Sequence, residues 1–214
     1  MSRADLSACR LYGIIDLGYV SADEAPRVAS AMMDGGVDII QLRAKQRRLG
    51  VITSLAGELQ RVAADANVPL IINDHPEVAC DAGAAGVHVG QDDLSIAEVR
   101  AIAGADVVIG RSTHSLAQAR AAAGEGADYV GFGPLFATPT KPDYLPIGLQ
   151  GIQAASAAVA LPIFCIGGIK LENLAEVIAA GARRVVIVSG LLQAPDIAQY
   201  ARAVRQLLNQ NSEI

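Results

Sequence analysis

The chain has 214 residues, 52% of them hydrophobic and 18% charged, with 21 glycines; this balance excludes a disordered chain and a coiled coil, and the length supports a core without staples. Cys9, Cys80 and Cys165 lie far apart without metal-ligand spacing, so neither a disulfide framework nor a zinc knuckle is expected, and a reducing cytoplasm fits. Lys and Arg number 17 against 22 Asp and Glu, a net charge of −5 without a long basic run; this argues against a nucleic-acid partner while leaving room for a pocket that binds a phosphorylated small molecule.

In chain order, the first twenty residues carry charges inside their only apolar stretch and do not read as a secretory signal. Short apolar strands are predicted at 11–16, 38–43, 69–74, 86–90, 106–112, 128–133, 162–168 and 183–190. Alanine-rich helical stretches separate them, the third, around 77–82, being only one or two turns. The run over 183–192 is too short to cross a membrane, which takes about 20 residues. No membrane partner is expected. Several strands are entered through a glycine, at Gly36, Gly83, Gly104, Gly126 and Gly181, where a left-handed residue lets a helix end turn back into a sheet. Strands nearly continuous in Val and Ile indicate parallel pairing under helices. Eight such units predict a single-domain (β/α)8 TIM barrel over 1–214, the barrel proper spanning about 11–209, with an open doubly wound sheet as the competing architecture.

Polar residues concentrate at the predicted strand exits, the end of a barrel that carries its chemistry. In QLRAK, Gln41 and Arg43 share one strand face with Ile39, and Lys45 continues that direction. Two cations in apolar surroundings suit a diphosphate; the competing reading pairs them with acidic neighbours. Asp74 and Asp93 follow adjacent strands as hard oxygen donors suited to Mg²⁺, unless each caps the next helix. Asp92 points the other way and is the weaker ligand. The proline-rich loop holding Thr138, Pro139, Thr140 and Lys141 reads as a substrate cover. Gly167-Gly168 and Ser189-Gly190 are expected to end the last two strands, where barrels bind phosphate through backbone N–H groups. Ser112 reads as a hydroxyl near developing substrate charge rather than a hydrolase nucleophile. His75, His88 and His114 lack a zinc spacing, and His88 alternates out of phase with Val87 and Val89. Cys165 reads as a small core hydrophobe.

Taken together, QLRAK (41–45), Ile72-Asn73-Asp74, GVHVGQDD (86–93), GRSTH (110–114), GFGP with TPTK (138–141), IGGI (166–169) and Val188-Ser189-Gly190 resemble thiamine-phosphate synthase over about nine tenths of the chain. The resemblance implies a barrel enzyme that joins an aminopyrimidine methyl diphosphate to thiazole phosphate, releasing pyrophosphate and forming thiamine monophosphate. It implies pyrimidine diphosphate binding by Gln41, Leu42, Arg43, Ala44, Lys45, Asn73, Ser112 and Lys141, and Mg²⁺ binding by Asp74 and Asp93. Thiazole phosphate falls to Thr138, Pro139, Thr140, Gly168, Val188 and Ser189, and the catalytic group is Arg43, Lys45, Ser112 and Lys141. Two departures are Gly190-Leu191 where Ala-Ile is common, and Ala44 at an often polar position. Competing functions are a thiazole tautomerase, which needs no diphosphate clamp, and a non-catalytic precursor-binding protein. The alanine-rich outer helices leave assembly open, with a homodimer as the candidate.

Overall fold

The computed structural model describes residues 3–138 and 145–210. Its elements alternate as expected: β1 (Leu11–Asp16), α1 (Ala25–Asp34), β2 (Ile39–Arg43), α2 (Leu49–Asp65), β3 (Leu70–Asn73), α3 (Pro76–Ala82), β4 (Gly86–Val89), α4 (Ile96–Ala103), β5 (Val108–Thr113), α5 (Leu116–Gly124), β6 (Tyr129–Phe132), α6 (Ile152–Ala158), β7 (Ile163–Cys165), α7 (Leu174–Ala179), β8 (Val185–Ile187), α8 (Ser189–Leu192) and α9 (Ile197–Gln210). The eight strands pair in parallel in sequence order, and β8 closes on β1 with Leu11 opposite Val185, giving a (β/α)8 TIM barrel rather than an open sheet. All five helix-end glycines of the repeat have positive φ, from 66° at Gly83 to 101° at Gly181. Among the described residues no helix is long and apolar enough to cross a membrane.

Two of the expected boundaries are corrected. Strand seven ends at Cys165 rather than 168, because Gly167 and Gly168 take left-handed φ values of 99° and 66° that no ladder accommodates. Strand eight ends at Ile187, and Ser189 opens the four-residue α8 instead of closing the strand. An aspartate stands immediately before β2 and before β6, at Asp38 and Asp128. Asp38 accepts from the Arg10 and Leu11 N–H groups at 2.8 and 2.9 Å and pairs with Arg205 of α9. Asp128 accepts from Ile109 N–H at 2.8 Å and pairs with Arg100 and Arg3. Each carboxylate satisfies N–H donors where the neighbouring strand starts, so the floor of the barrel is stapled by charge-assisted hydrogen bonds.

Strand alternation divides the apolar residues into two clusters. The larger lies between strands and helices and includes Ile15, Leu42, Ile72, Val87 and Val89. The smaller fills the barrel below the strand exits with Tyr12, Ile39, Ile71, Val108, Tyr129, Phe164 and Val186. Cys165 is buried in the outer cluster, as expected of a small hydrophobe, and burial pushes its thiol up to about 12.

Helix packing differs sharply between two glycines. A Cβ on Gly35, at the end of α1, would lie 2.4 Å from Ala201 Cβ and 2.7 Å from the Ala198 carbonyl of α9, whereas one on Gly57, within α2, would meet nothing within 4 Å. Urea unfolding should therefore show Gly35→Ala destabilised by about 1–3 kcal/mol through overpacking. Gly57→Ala should gain about 0.5–1 kcal/mol from helix propensity.

Candidate active site

The strand exits open on one cavity of about 750 Å³, counting its solvent-filled mouth. Its lining includes Gln41 and Arg43 from β2, Asn73 from β3, His88 from β4, Ser112 from β5, Thr138 from the loop after β6, Gly168 after β7, and Val188 and Ser189 after β8. All of these except His88, eight residues, carry a ligand role in the sequence analysis and meet here. Leu42 and Ala44 do not present side chains to it: both are buried in the cluster between strands and helices, so what they offer a ligand is backbone. Pro139, Thr140 and Lys141 lie outside the described residues.

Arg43 is held in place from behind. Its Nη1 donates to Asp16 Oδ2 at 2.6 Å, and Asp16, only 4% exposed, also accepts from Gly18 N–H through Oδ1 at 2.9 Å. Buried pairing of this kind anchors one end of the guanidinium and balances its charge.

Lys45, Asp74 and Asp93 are not among the residues lining the cavity; they gather at a rim beyond Arg43 and Asn73, Lys45 Nζ lying 2.5 Å from Asp74 Oδ2 and 3.6 Å from Asp93 Oδ1. Both cations thus have acidic partners, as the competing reading of QLRAK allowed. Neither aspartate serves as a helix cap. The capping box of α4 is made by Ser95 and Glu98, and α3 starts at His75 without a side-chain cap. Asp93 instead accepts from Gly90 N–H at 2.8 Å, and Asp74 adopts φ 65°, a left-handed conformation that its short polar side chain tolerates, while its N–H donates to His88 O at 2.9 Å. Burial raises the Asp74 carboxyl above its ordinary range; the Lys45 hydrogen bond opposes that shift and the nearby Asp93 carboxylate adds to it. For Lys45 burial works against the charge, but the hydrogen bond it donates to Asp74 and the attraction of both aspartates carry the net shift upward. Two crowded carboxylates drawing a cation between them fit Mg²⁺, which takes one or two protein carboxylates and fills its shell from phosphate and water. Among the described residues no set of three or more His, Cys, Asp or Glu groups is placed to hold a metal, so protein ligands alone would not complete that shell.

Opposite this rim, Gly167 and Gly168 have a packing role. Cβ atoms there would lie 2.4 Å from Pro134 Cα and 2.7 Å from Phe136 Cβ, so the glycines let the loop after β6 lie directly on the exit of β7. Leu135 N–H and Phe136 N–H stitch the two together by donating to Ile166 O at 2.8 Å and Gly167 O at 3.0 Å. Thr138 is thereby carried to the cavity.

Several site residues had no role in the sequence reading. His88 faces the cavity because it alternates with the outward Val87 and Val89; its Nδ1 lies 3.0 Å from Tyr129 Oη and its Nε2 2.9 Å from Ser112 Oγ. Asp16 supports Arg43, as above. Arg111, on the opposite strand face to Ser112, donates to Leu94 O at 2.8 Å and Gln91 O at 3.3 Å and so pins the loop that bears Asp93. Parity along β4 and β5 was the available signal for His88 and Arg111; nothing local marks Asp16 as the partner of Arg43. His75 sits outside the cavity and pairs with Glu77, whereas His114 lines it and bonds the Gly133 carbonyl through Nδ1.

A family model described as thiamine monophosphate synthase matches residues 11–191, from the first strand through α8. The chain belongs to this family. Thiamine monophosphate synthase relatives include a thiamine-phosphate synthase of Shouchella clausii, 40% identical over 205 residues and covering 95% of this chain and 98% of the relative. Another, from Chloroflexus aurantiacus, is 41% identical over 214 residues, 100% of this chain and 99% of the relative. Among solved structures, a thiamine phosphate pyrophosphorylase from Pyrococcus furiosus superposes with a TM-score of 0.86 at 27% identity, covering 95% of this chain and 96% of that one. A 3-hexulose-6-phosphate synthase, at 21% identity and a TM-score of 0.66, shares the fold.

The raised Asp74 carboxyl makes a stability prediction for this family member. Because the folded chain holds that proton more tightly than the unfolded one, the group favours folding only at low pH, and its ionisation opposes folding as pH rises past the unfolded value. At neutral pH with EDTA, Asp74→Asn should have a urea midpoint at least as high as the parent; a clear drop would contradict the burial cost assigned to this carboxylate.

Proposed function

We infer that this protein is a thiamine-phosphate synthase, a transferase that joins an aminopyrimidine methyl diphosphate to thiazole phosphate and releases pyrophosphate and thiamine monophosphate. The observation that carries this is identity of 40% and 41% to thiamine-phosphate synthases over 95% and 100% of the chain. In our reading 1–214 form one domain with the site at one end, and three unpaired thiols accord with a cytoplasmic setting. The Arg43 and Lys45 clusters favour transfer over tautomerisation, since isomerising a thiazole uses no diphosphate clamp.

Within that reading Gln41, Asn73 and Ser112 hold the pyrimidine ring, with Arg43, Lys45, Lys141 and the Leu42–Ala44 backbone around its diphosphate. Thr138, Pro139, Thr140, Gly168, Val188 and Ser189 hold thiazole phosphate across the cavity. Asp74 and Asp93 would hold Mg²⁺, which when bound supplies positive charge to the departing pyrophosphate. The chain's own contribution is electrostatic and geometric. Arg43, already oriented by Asp16, meets the growing negative charge without reorganising, and Lys45 supplies a second, more mobile positive charge to the same oxygens. The aminopyrimidine spreads positive charge as the carbon–oxygen bond breaks, and the thiazole nitrogen attacks the methylene carbon. Ser112 and the loop carrying Thr138 keep water from that carbon. No protein nucleophile takes part, so rate comes from holding two substrates in line.

A reconstituted assay with both precursors, following thiamine monophosphate and pyrophosphate with and without Mg²⁺, tests the reading directly; no product with either metal condition would overturn it. Asp93→Asn should lower turnover at least about tenfold, or roughly 1.4 kcal/mol, and raise the Mg²⁺ requirement. Unchanged Mg²⁺ dependence would remove Asp93 from the metal. Initial-rate titrations should show Arg43→Ala impairing use of the pyrimidine diphosphate. Ser189→Ala should act more mildly and on thiazole phosphate, because the backbone donor there survives.

A further inference from the structure

A chain of hydrogen bonds, buried at the two tyrosines and part-buried at His88, crosses the barrel interior and joins Gln41 to Ser112, which line the same cavity from different strands. Gln41 Nε2 donates to Tyr12 Oη at 2.7 Å; Tyr12 Oη lies 3.0 Å from Tyr129 Oη; Tyr129 Oη lies 3.0 Å from His88 Nδ1; and His88 Nε2 lies 2.9 Å from Ser112 Oγ. Gln41 and Ser112 are the ends that a ligand meets. Tyr12 and Tyr129 are 2% and 0% exposed, below the cavity floor. We propose that Tyr12 and Tyr129 are specificity-determining positioning residues, which through His88 tie the donor–acceptor sense of Gln41 to that of Ser112 and so select an aminopyrimidine over its oxo counterpart. The proposal rests on the reading that the pyrimidine lies between Gln41 and Ser112.

The sense of the chain follows from counting protons. Burial pushes both phenols upward, so each keeps its one proton. With Gln41 Nε2 donating to Tyr12 Oη, the arrangement that gives both buried phenol protons an acceptor has Tyr12 donating to Tyr129 and Tyr129 donating to His88 Nδ1. A neutral imidazole accepting at Nδ1 carries its proton on Nε2 and donates it to Ser112 Oγ. The serine hydrogen is then left for the cavity, as is the Gln41 Oε1 acceptor. An aminopyrimidine edge offers the complementary pair, an N–H donor beside a ring-nitrogen acceptor. An oxo-pyrimidine edge offers an acceptor beside a ring N–H. To receive it, the Gln41 amide must turn and every bond in the chain must reverse together, or both ends stay mismatched. Buried networks reject a mismatched ligand far more strongly than an apolar wall does.

Packing leaves the phenols little alternative. Tyr12, Tyr129 and Phe164 meet edge to face with ring centroids 5.5–6.0 Å apart. Gly110, the partner of Tyr129 in the β5–β6 register, vacates the space its ring uses: a Cβ there would fall 2.1 Å from Tyr129 Cζ. A ring so confined cannot swing to another partner without moving a strand.

The test compares the parent with Tyr12→Phe and Tyr129→Phe, which keep the rings and delete single hydroxyls. Nitrogen NMR of the histidine rings, with His88 identified by its loss in His88→Asn, should show the Nε2–H tautomer in the parent. Tyr129→Phe should lose that preference, because it removes the donor to Nδ1. Tyr12→Phe should retain it, because Tyr129 still donates. The ratio of kcat/KM for the 4-amino over the 4-oxo pyrimidine diphosphate should fall at least about tenfold in both variants, with KM for thiazole phosphate within about twofold of the parent. A merely structural role predicts no such split between tautomer and specificity. An Nδ1–H tautomer in the parent, or an unchanged ratio in both active variants, overturns the proposal and leaves the transferase reading standing. If the parent itself makes no thiamine monophosphate, that reading fails on its own, and the relay is judged by the tautomers and by affinities for the 4-amino and 4-oxo pyrimidine alcohols. Equal affinity ratios in all three proteins then overturn it.

Discussion

Closure of eight parallel strands with alternating side chains is the constraint from which the rest of this molecule follows. Once β8 pairs with β1, every second residue of every strand must enter a shared interior, and its neighbours must face the helices. The interior has a gradient along the barrel axis. Toward the strand entrances it is filled by Ile39, Ile71, Val108 and three aromatic rings, and toward the exits the same faces carry Gln41, Arg43, Asn73, His88 and Ser112. Parallel strands all exit at one end, so a short polar segment at each end becomes a single site.

Charge in that site is balanced before a substrate arrives. Arg43 is neutralised by the deeply buried Asp16, and Lys45 by Asp74, with Asp93 close by. The two pairs differ in how firmly they are held. Asp16 takes a backbone donor as well as the guanidinium, so Arg43 is held through a buried partner; Lys45 is 45% exposed and sits on a flexible stem.

Below the charged rim the polar groups hydrogen-bond to one another in series, so their directions are linked. Tyr12 and Tyr129 occupy the boundary between packed aromatic floor and wet cavity, where a phenol can fill space with its ring and spend its hydroxyl on the layer above. The floor of the barrel thereby acts on the ligand it never touches.

The eight-unit rhythm, the helix-end glycines, the inward parity of Gln41, Arg43 and His88, and the carboxylates after strands three and four were all legible in the sequence, because each depends on local periodicity or on one residue's backbone freedom. QLRAK and GVHVGQDD carried the family for the same reason: their roles are set by position at a strand end. The early ends of β7 and β8 were not legible, since glycine and small residues extend a strand as readily as they leave it, and only the loop lying on Gly167 and Gly168 decides the matter. Asp16 as the partner of Arg43, and the bond from Gln41 through two tyrosines to Ser112, belong to the tertiary structure alone. Their members are separated by 24 to 117 residues from the groups they bond, and no spacing along the chain encodes a contact made only when a barrel closes.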